Sequence, residues 1–218
     1  MTVKILVVDD HGILRAGVDL IIGQTEDMEV VGQAANGRES IELAAKLKPD
    51  VILMDVSMPE LNGISATELI LNENPDIKVL ALSAHANGHF VKDMLKAGAS
   101  GYLLKDGLAD ELVEAVRTVS AGRQYLCKQV TSVIINNYLR GPGTNQADSP
   151  LSRLTEKERQ LLQLLTENKT SKEAARILHV SVKTVDARRR SIMEKLGIDG
   201  IAALTKFAVR EGLTSLDF

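Results

Sequence analysis

Apolar and polar positions repeat in a fixed order along the first half of the chain. A short apolar run is followed by a polar turn and then by a segment with helical spacing. Five such units in about 120 residues predict a five-stranded, doubly wound parallel sheet with right-handed crossovers. The predicted strands and the helices that follow them are 2–8 with 13–22, 29–35 with 38–47, 51–56 with 65–72, 78–82 with 88–97, and 101–104 with 110–120.

The repeat stops after residue 122. Residues 123–150 contain one short helical pattern and then a run rich in Gly, Pro, Asn and Ser without periodicity, which is typical of a linker. We therefore expect a first domain at 1–122, a linker with a short helix at 123–150, and a second domain at 151–218.

Helix signals follow one another closely in the second domain. Two Thr-x-x-Glu sequences, beginning at Thr155 and Thr170, have the spacing of capping boxes. Ser181 and Gly197 are placed to begin and end a third, longer helix. A helix, a short turn and a longer basic helix follow the helix-turn-helix plan for DNA, so a small all-α domain is predicted.

Helical spacing divides this third helix into two faces. The face expected to pack on the domain carries Val182, Val185, Ile192 and Leu196. The opposite stripe, predicted to face a DNA groove, carries Lys183, Asp186, Ala187 and Arg190. Arg188 and Arg189 flank this stripe, where they can reach phosphates.

Unusual polar residues close four of the five predicted strands. They are Asp9 and Asp10 after the first strand, Asp55 at the C-terminal end of the third, Ser83 after the fourth and Lys105 after the fifth. Because parallel strands end at one rim, these side chains are expected around a single cleft. Three carboxylates in one cleft repel each other unless a divalent cation neutralises them. Oxygen ligands favour Mg²⁺, with Mn²⁺ as an alternative.

These groups are suited to phosphoryl transfer. Asp55 is the predicted nucleophile, since a carboxylate can form an aspartyl-phosphate. Lys105 is placed to pair with the phosphoryl oxygens, and Ser83 can hydrogen-bond to one of them. The expected metal ligands are Asp10, Asp55, the backbone carbonyl of Ser57 and, through a water, Asp9.

The first 122 residues resemble the receiver domain of two-component response regulators, which has a flavodoxin-like fold. The resemblance rests on the Asp pair, on the sequence DVSMP beginning at Asp55, and on GYLLKD at 101–106. It implies that Asp55 accepts a phosphoryl group from a sensor histidine kinase with Mg²⁺ present, and that Ser83 and Tyr102 then rearrange. It further implies that three side chains tune the phosphoryl lifetime, namely Ser57, Ala84 and His85.

Residues 154–216 resemble the LuxR-type helix-turn-helix through LTEKER, SKEAAR, VSVKTV and IMEKLG, so the whole chain resembles a NarL/FixJ-type response regulator. This resemblance implies contacts to the DNA backbone by Lys172, Lys183 and Thr184. The last helix carries Ile201, Leu204 and Phe207, which are core residues by spacing and dimer-contact residues by the resemblance. The chain departs from the family at Arg188, Ser171 and Ala174, where histidine, asparagine and isoleucine are usual.

Charge is distributed unevenly along the chain. The formal net charge of −3 consists of −9 in residues 1–122, +2 in 123–150 and +4 in 151–218. A basic second domain suits a polyanionic partner. The single cysteine, Cys127, excludes an intramolecular disulfide, and the sequence has neither a membrane span nor a signal peptide, so we expect a cytoplasmic protein with no membrane partner.

The expected function is therefore a phosphorylation-dependent DNA-binding transcription regulator. It is not an enzyme beyond transfer to and loss of phosphate from its own Asp55. The expected partners are a sensor histidine kinase, double-stranded DNA with two-fold related sites and a second copy of the chain, with RNA polymerase as a further candidate. Two alternatives stay open: an aspartate-based phosphohydrolase, which would usually have a second aspartate where Ser57 stands, and a phosphorylation-independent DNA-binding protein.

Overall fold

The computed structural model describes residues 2–84, 86, 88–139, 150–211 and 213–214. The chain divides into two compact units, Met1–Gly141 and Pro142–Phe218, which are described separately. No helix in these residues is both long and apolar enough to cross a membrane.

The described part of the first unit contains one parallel sheet. Its strand order is β2-β1-β3-β4-β5-β6, with every neighbouring pair parallel. The elements are β1 (Val3–Val8), α1 (Gly12–Ile22), β2 (Met28–Ala34), α2 (Gly37–Leu47), β3 (Val51–Asp55), α3 (Gly63–Glu73), β4 (Lys78–Ser83), α4 (Gly88–Lys96), β5 (Gly101–Leu104), α5 (Leu108–Ser120), β6 (Tyr125–Leu126) and α6 (Lys128–Leu139).

The central strands are continuous apolar runs because helices cover both faces of the sheet. Every residue of β3 is buried, and so are the last four residues of β1. Helices α1 and α5 pack together on one face, while α2, α3 and α4 pack in succession on the other. The predicted doubly wound α/β fold class is confirmed.

The sheet has a sixth strand that the sequence analysis did not predict. Two backbone amides join β6 to β5: Tyr125 N donates to the Ser100 carbonyl at 3.2 Å, and Cys127 N donates to the Tyr102 carbonyl at 3.2 Å. Hydrophobic periodicity could not reveal this strand because it has only two residues.

The segment expected to be a linker, 123–150, is not uniform. Its first part forms β6 and α6, and α6 packs on α4 with Val130 fully buried. Residues 140–149, which carry the Gly- and Pro-rich run, lie outside the described residues. The proposed domain boundaries therefore have to allow for β6 and α6 in the first unit.

The second unit is helical within the described residues. A 3-10 turn (Pro150–Arg153) leads into α7 (Glu156–Thr166), α8 (Ser171–Ile177), α9 (Val182–Leu196) and α10 (Ile201–Arg210). Both predicted capping boxes are present, one at the start of α7 and one at the start of α8. A four-residue connection with His179 at φ 52° joins α8 to α9, so these two helices form the predicted helix-turn-helix.

Candidate functional site

Asp55 lies at the C-terminal end of β3 and is 2% exposed. The chain then turns sharply and returns as α3, whose first residue, Gly63, packs directly on the backbone of Asp55. A Cβ atom at Gly63 would overlap the Asp55 carbonyl oxygen, so only glycine fits there. Asn62 caps α3 by accepting a hydrogen bond from Ser65 N at 2.9 Å. The turn after β3 thus fixes the position of the carboxylate.

Lys105 joins two of the carboxylates on the rim. Its Nζ atom lies 2.8 Å from Asp9 Oδ2 and 2.9 Å from Asp55 Oδ2. The Asp9 side chain is fully buried, whereas that of Asp10 is 32% exposed. The structure therefore brings Lys105, Asp9 and Asp55 together at the carboxyl ends of their strands.

Burial dominates the electrostatics of this cleft. It raises the pKa of Asp55 to about 7; the ammonium group of Lys105 opposes this shift, and the Asp9 carboxylate adds to it. For Lys105, burial acts to lower the pKa, but the Asp55 and Asp9 carboxylates outweigh it and the pKa is raised. Two carboxylates thus share one ammonium, which leaves the cleft able to accept further positive charge.

Four side chains could hold a metal ion. Asp9, Asp10, His11 and Asp55 each offer one ligand atom, and these atoms lie within 4.8 Å of one another. Such a set rich in carboxylates fits a divalent cation. The Ser57 backbone lies beside the set, since Ser57 N is 3.3 Å from Asp55 Oδ1.

Sequence reasoning missed His11. Its Nδ1 atom lies 2.8 Å from Asp10 Oδ1 and 3.1 Å from Asp9 Oδ1. Its backbone amide also donates to Asp9 Oδ1 at 2.8 Å. The signal was its position directly after the Asp pair, and the expectation of oxygen-only ligands overlooked this imidazole.

Ser83 and Tyr102 lie on the neighbouring strands β4 and β5. Ser83 ends β4 and is 4% exposed, and the Tyr102 side chain on β5 is fully buried. Their hydroxyl groups are hydrogen-bonded to each other; burial nevertheless raises the pKa of Tyr102 to about 12. Of the residues expected to tune the phosphoryl lifetime, Ser57 is half-buried and Ala84 is exposed, while His85 lies outside the described residues.

The predicted groove-facing stripe is on the surface of the second unit. Its four members are exposed on α9: Lys183, Asp186, Ala187 and Arg190. Lys172 on α8 is also exposed, and Thr184, Arg188 and Arg189 are half-buried.

The prediction for the opposite face of α9 is partly wrong. Val185 and Ile192 are fully buried and Leu196 is half-buried, but Val182 is 39% exposed. Val182 is the first residue of the helix, and helical side chains lean toward the N-terminus. Its side chain therefore overhangs the end of the helix instead of entering the core.

Glu158 anchors α9 to α7. Its carboxylate accepts hydrogen bonds from Ser191 Oγ at 2.9 Å and from Lys195 Nζ at 2.7 and 2.8 Å. Burial acts to raise the Glu158 pKa, but hydrogen bonds from Lys195, Thr155 and Ser191 outweigh it and lower the pKa to about 2. The sequence identified Glu158 only as part of a capping box, because spacing alone does not reveal contacts between helices.

The last helix has the expected core residues at two of the three positions. Leu204 and Phe207 are buried in the core of the second unit, whereas Ile201 is 41% exposed. Leu204 and Phe207 are therefore unavailable as dimer contacts in this arrangement. The exposed positions on α10 are Ile201, Ala202, Ala203 and Lys206.

A receiver-like sheet with an acidic rim and a lysine, followed by a helix-turn-helix unit, defines a DNA-binding transcription regulator of the two-component class. Residues 5–117 match the family described as response regulator receiver domain, and residues 152–208 match bacterial regulatory proteins of the luxR family. The protein belongs to the response regulators that combine these two domains.

Three similar curated proteins match this chain over nearly their whole length. The transcriptional regulatory protein DegU of Brevibacillus brevis is 36% identical, with 96% of this chain and 94% of DegU covered. The response regulator GacA of Pseudomonas aeruginosa is 37% identical, with 97% of both chains covered. The oxygen regulatory protein NreC of Staphylococcus carnosus is 36% identical, with 99% of this chain and all of NreC covered.

Solved structures show the same architecture. The RcsB response regulator of Salmonella typhimurium is similar with a TM-score of 0.68 and 25% identity, over 96% of this chain and 98% of that one. RcsB of Salmonella enterica serovar Typhimurium, bound to promoter rprA in the presence of the phosphomimetic BeF3⁻, gives a TM-score of 0.64 and 26% identity, over 95% and 98%.

Proposed function

We propose that phosphorylation of Asp55 controls DNA binding by α9. The observation that carries this proposal is the contact of Lys105 Nζ with the carboxylates of Asp9 and Asp55, at 2.8 and 2.9 Å. A buried nucleophile, an ammonium that can follow the arriving phosphoryl oxygens and a set of metal ligands then occupy one cleft.

We infer that the cation is Mg²⁺ or Mn²⁺. The spacing of the carboxylates supports this assignment, since their ligand atoms lie within 4.8 Å of one another. The expected ligands are Asp10, Asp55, the Ser57 carbonyl and, through a water, Asp9. When bound, the cation neutralises charge on the nucleophile and on the phosphoryl oxygens.

The transfer step uses the ionised form of Asp55. One carboxylate oxygen attacks phosphorus while the bond from phosphorus to the imidazole nitrogen of the donor histidine breaks, and that nitrogen keeps the bonding electrons and takes up a proton. Lys105 leaves its ion pair with Asp55 and pairs with a phosphoryl oxygen. Because burial raises the Asp55 pKa to about 7, the carboxylate is only partly ionised at neutral pH, and the approach of further positive charge would increase the ionised fraction.

Ser83 and Tyr102 form the proposed switch. Phosphorylation adds about −1.5 to −2 charges and new acceptor oxygens at Asp55. The Ser83 hydroxyl then turns toward these oxygens, which breaks or redirects its bond to the Tyr102 hydroxyl. Ser57, Ala84 and His85 remain the proposed residues that control water attack, and His85→Ala is expected to change the phosphoryl lifetime several-fold.

Helix α9 is the proposed DNA-reading element. Its exposed stripe would enter the major groove, while phosphate contacts would come from Lys172, Lys183, Thr184, Arg188 and Arg189. Two copies of the chain would bind a two-fold related site. The exposed side of α10, beginning at Ile201, is the proposed dimer contact in place of Leu204 and Phe207.

The donor is proposed to be a sensor histidine kinase, and RNA polymerase is a further candidate partner. A phosphohydrolase is disfavoured because Ser57 stands where such enzymes usually have a second aspartate. Membership in a family that joins a receiver to a DNA-binding domain also supports a regulator over an enzyme.

The test is phosphorylation with a small phosphodonor and Mg²⁺, followed by DNA binding. Wild-type protein should be labelled and should bind DNA about 5- to 150-fold more tightly after labelling. Asp55→Asn should lose both effects, while Asp76→Asn, an exposed carboxylate, should keep them. Labelling that persists in Asp55→Asn would place the nucleophile elsewhere. Labelling without any change in DNA affinity would favour a phosphorylation-independent regulator, and turnover of phosphate monoesters would favour a hydrolase.

A further inference from the structure

The exposed stripe of α9 contains one carboxylate among cationic residues. Asp186 lies three residues after Lys183 and four before Arg190, and all three are exposed. These spacings place them on one side of the helix. A carboxylate on a surface that approaches DNA is repelled by the phosphates, so its presence needs a compensating contact.

The Asp186 carboxylate is held from one side only. Ser171 Oγ on α8 donates to Asp186 Oδ1 at 3.1 Å. Arg190 Nε donates to the backbone carbonyl of Asp186 at 3.4 Å, so this contact does not involve the carboxylate. Among the residues that the structure describes, no lysine or arginine forms an ion pair with Asp186. One carboxylate oxygen is therefore directed toward Ser171, and acceptor sites are left for another donor.

The edges of the bases differ in what they offer to such an acceptor. In the major groove, cytosine presents an amino donor, whereas guanine presents two acceptors and thymine presents an acceptor and a methyl group. Adenine presents an amino donor beside an acceptor, which repels the second carboxylate oxygen. A carboxylate fixed in the groove is thus complementary to cytosine and opposed to guanine and thymine.

We propose that Asp186 is a specificity-determining residue that selects cytosine at one position of each half-site, and that Ser171 orients its carboxylate. This inference rests on the proposed DNA-binding function of α9. Under it, Asp186 contributes discrimination between sequences, while the neighbouring cations contribute affinity for all of them.

The alternative is that Ser171 and Asp186 only tie α8 to α9. Asp186→Asn separates base selection from a purely structural tie. The amide oxygen can still accept the hydrogen bond from Ser171. Unlike the carboxylate, which only accepts hydrogen bonds, the amide group both accepts and donates them. That pattern matches adenine. If Ser171 and Asp186 form only a structural tie, the preferred DNA sequence should be unchanged in Asp186→Asn. If Asp186 selects a base, the preferred base should change from cytosine to adenine.

The experiment is selection from random duplex DNA by the full-length protein, treated with a small phosphodonor and Mg²⁺. Wild type, Asp186→Asn and the matched control Glu194→Gln are compared; Glu194 is an exposed carboxylate further along the same helix. We expect one position per half-site to change from cytosine to adenine in Asp186→Asn alone. At that position, wild type should bind the cytosine site roughly tenfold or more tightly than the guanine site.

Ser171→Ala provides the second measurement. It should reduce the preference for cytosine while leaving affinity for non-specific DNA unchanged, which is the result expected for a positioning residue. Identical selected sites for wild type and Asp186→Asn would overturn the inference but leave DNA binding intact. Failure of the wild-type protein to enrich any sequence would overturn the proposed function, and this inference with it. Thermal unfolding of each variant verifies that the fold is retained.

Discussion

At the scale of single residues, Lys105 determines the charge state of the cleft. One ammonium contacts two buried carboxylates at 2.8 and 2.9 Å, so the cleft carries a net negative charge when both acids are ionised. Water cannot solvate this charge, because Asp9 and Asp55 are almost completely inaccessible. The excess charge is a cost to folding that a bound cation would relieve.

This cost has a pH dependence that Asp55→Asn should reveal. The Asp55 pKa is raised from 3.8 to about 7, so the folded state favours the protonated acid. The protonated Asp55 carboxyl group therefore contributes stability that is fully present below about pH 4 and is lost as the pH rises to 7. In cation-free buffer the variant should therefore exceed wild type in unfolding free energy by about 1–3 kcal/mol at pH 8, and by much less at pH 4.

Chemical denaturation with a chelator present measures this difference. Asp76→Asn removes an exposed carboxylate and should match wild type at both pH values. Addition of Mg²⁺ should reduce the advantage of Asp55→Asn at pH 8. An advantage of equal size at both pH values would show that the burial of charge is not its source.

Gly63 is the second residue on which the cleft depends. Gly63→Ala should destabilise the first unit by about 1–3 kcal/mol and reduce labelling of Asp55, since the added methyl overlaps the Asp55 carbonyl. Gly17→Ala is the matched control: a Cβ there meets no atom within 4 Å, and alanine favours the helix by about 0.5–1 kcal/mol. Urea denaturation and phosphodonor labelling give the two readouts. Equal stability of the two alanine variants would contradict the close approach of residue 63 to the Asp55 carbonyl.

At the scale of elements, the sequence predicted what periodicity and caps encode. The continuous apolar runs of β1 and β3 predicted a parallel sheet, and the rim was predicted because such strands end together. Contacts between elements follow a different rule: they depend on how helices pack, which the spacing within one helix does not specify. For this reason the bond from Lys195 to Glu158 was missed, and Leu204 was assigned both to the core and to a dimer contact.

The anchor between α7 and α9 leads to a prediction at this scale. Glu158→Gln keeps a residue suited to the capping box but loses the ion pair with Lys195, so it should destabilise the second unit by about 1–3 kcal/mol. Glu173→Gln changes the other capping box, at an exposed site, and should cost less than about 0.5 kcal/mol.

Glu158→Gln also gives a pH signature. The Glu158 pKa is lowered from 4.5 to about 2, so its contribution is present above pH 4.5 and is lost as the pH falls toward 2. The stability of wild type and Glu158→Gln should therefore converge in acid. Thermal unfolding between pH 3 and 7 measures this convergence, and a constant difference would exclude the ion pair as its cause.

At the scale of the whole molecule, positive charge is concentrated where DNA is expected to bind. Residues 1–122 carry −9 and residues 151–218 carry +4. Binding should weaken with salt, and Lys183→Ala should reduce the slope of log K against log salt by about 1. Lys46→Ala changes the net charge equally, but on α2, and should leave the slope unchanged. Equal slopes for both variants, measured by fluorescence anisotropy, would mean that net charge and not local contact governs affinity.

The two-residue strand β6 has a practical consequence for anyone who divides the chain. An open strand edge exposes unpaired amides and carbonyls that recruit other chains. β6 covers this edge of β5 and, with only two residues, offers another chain little to pair with. A fragment that ends at residue 122 would uncover the edge and the surface that Val130 buries. Such a fragment should form aggregates in light scattering, whereas one that ends at residue 139 should remain monodisperse under the same conditions.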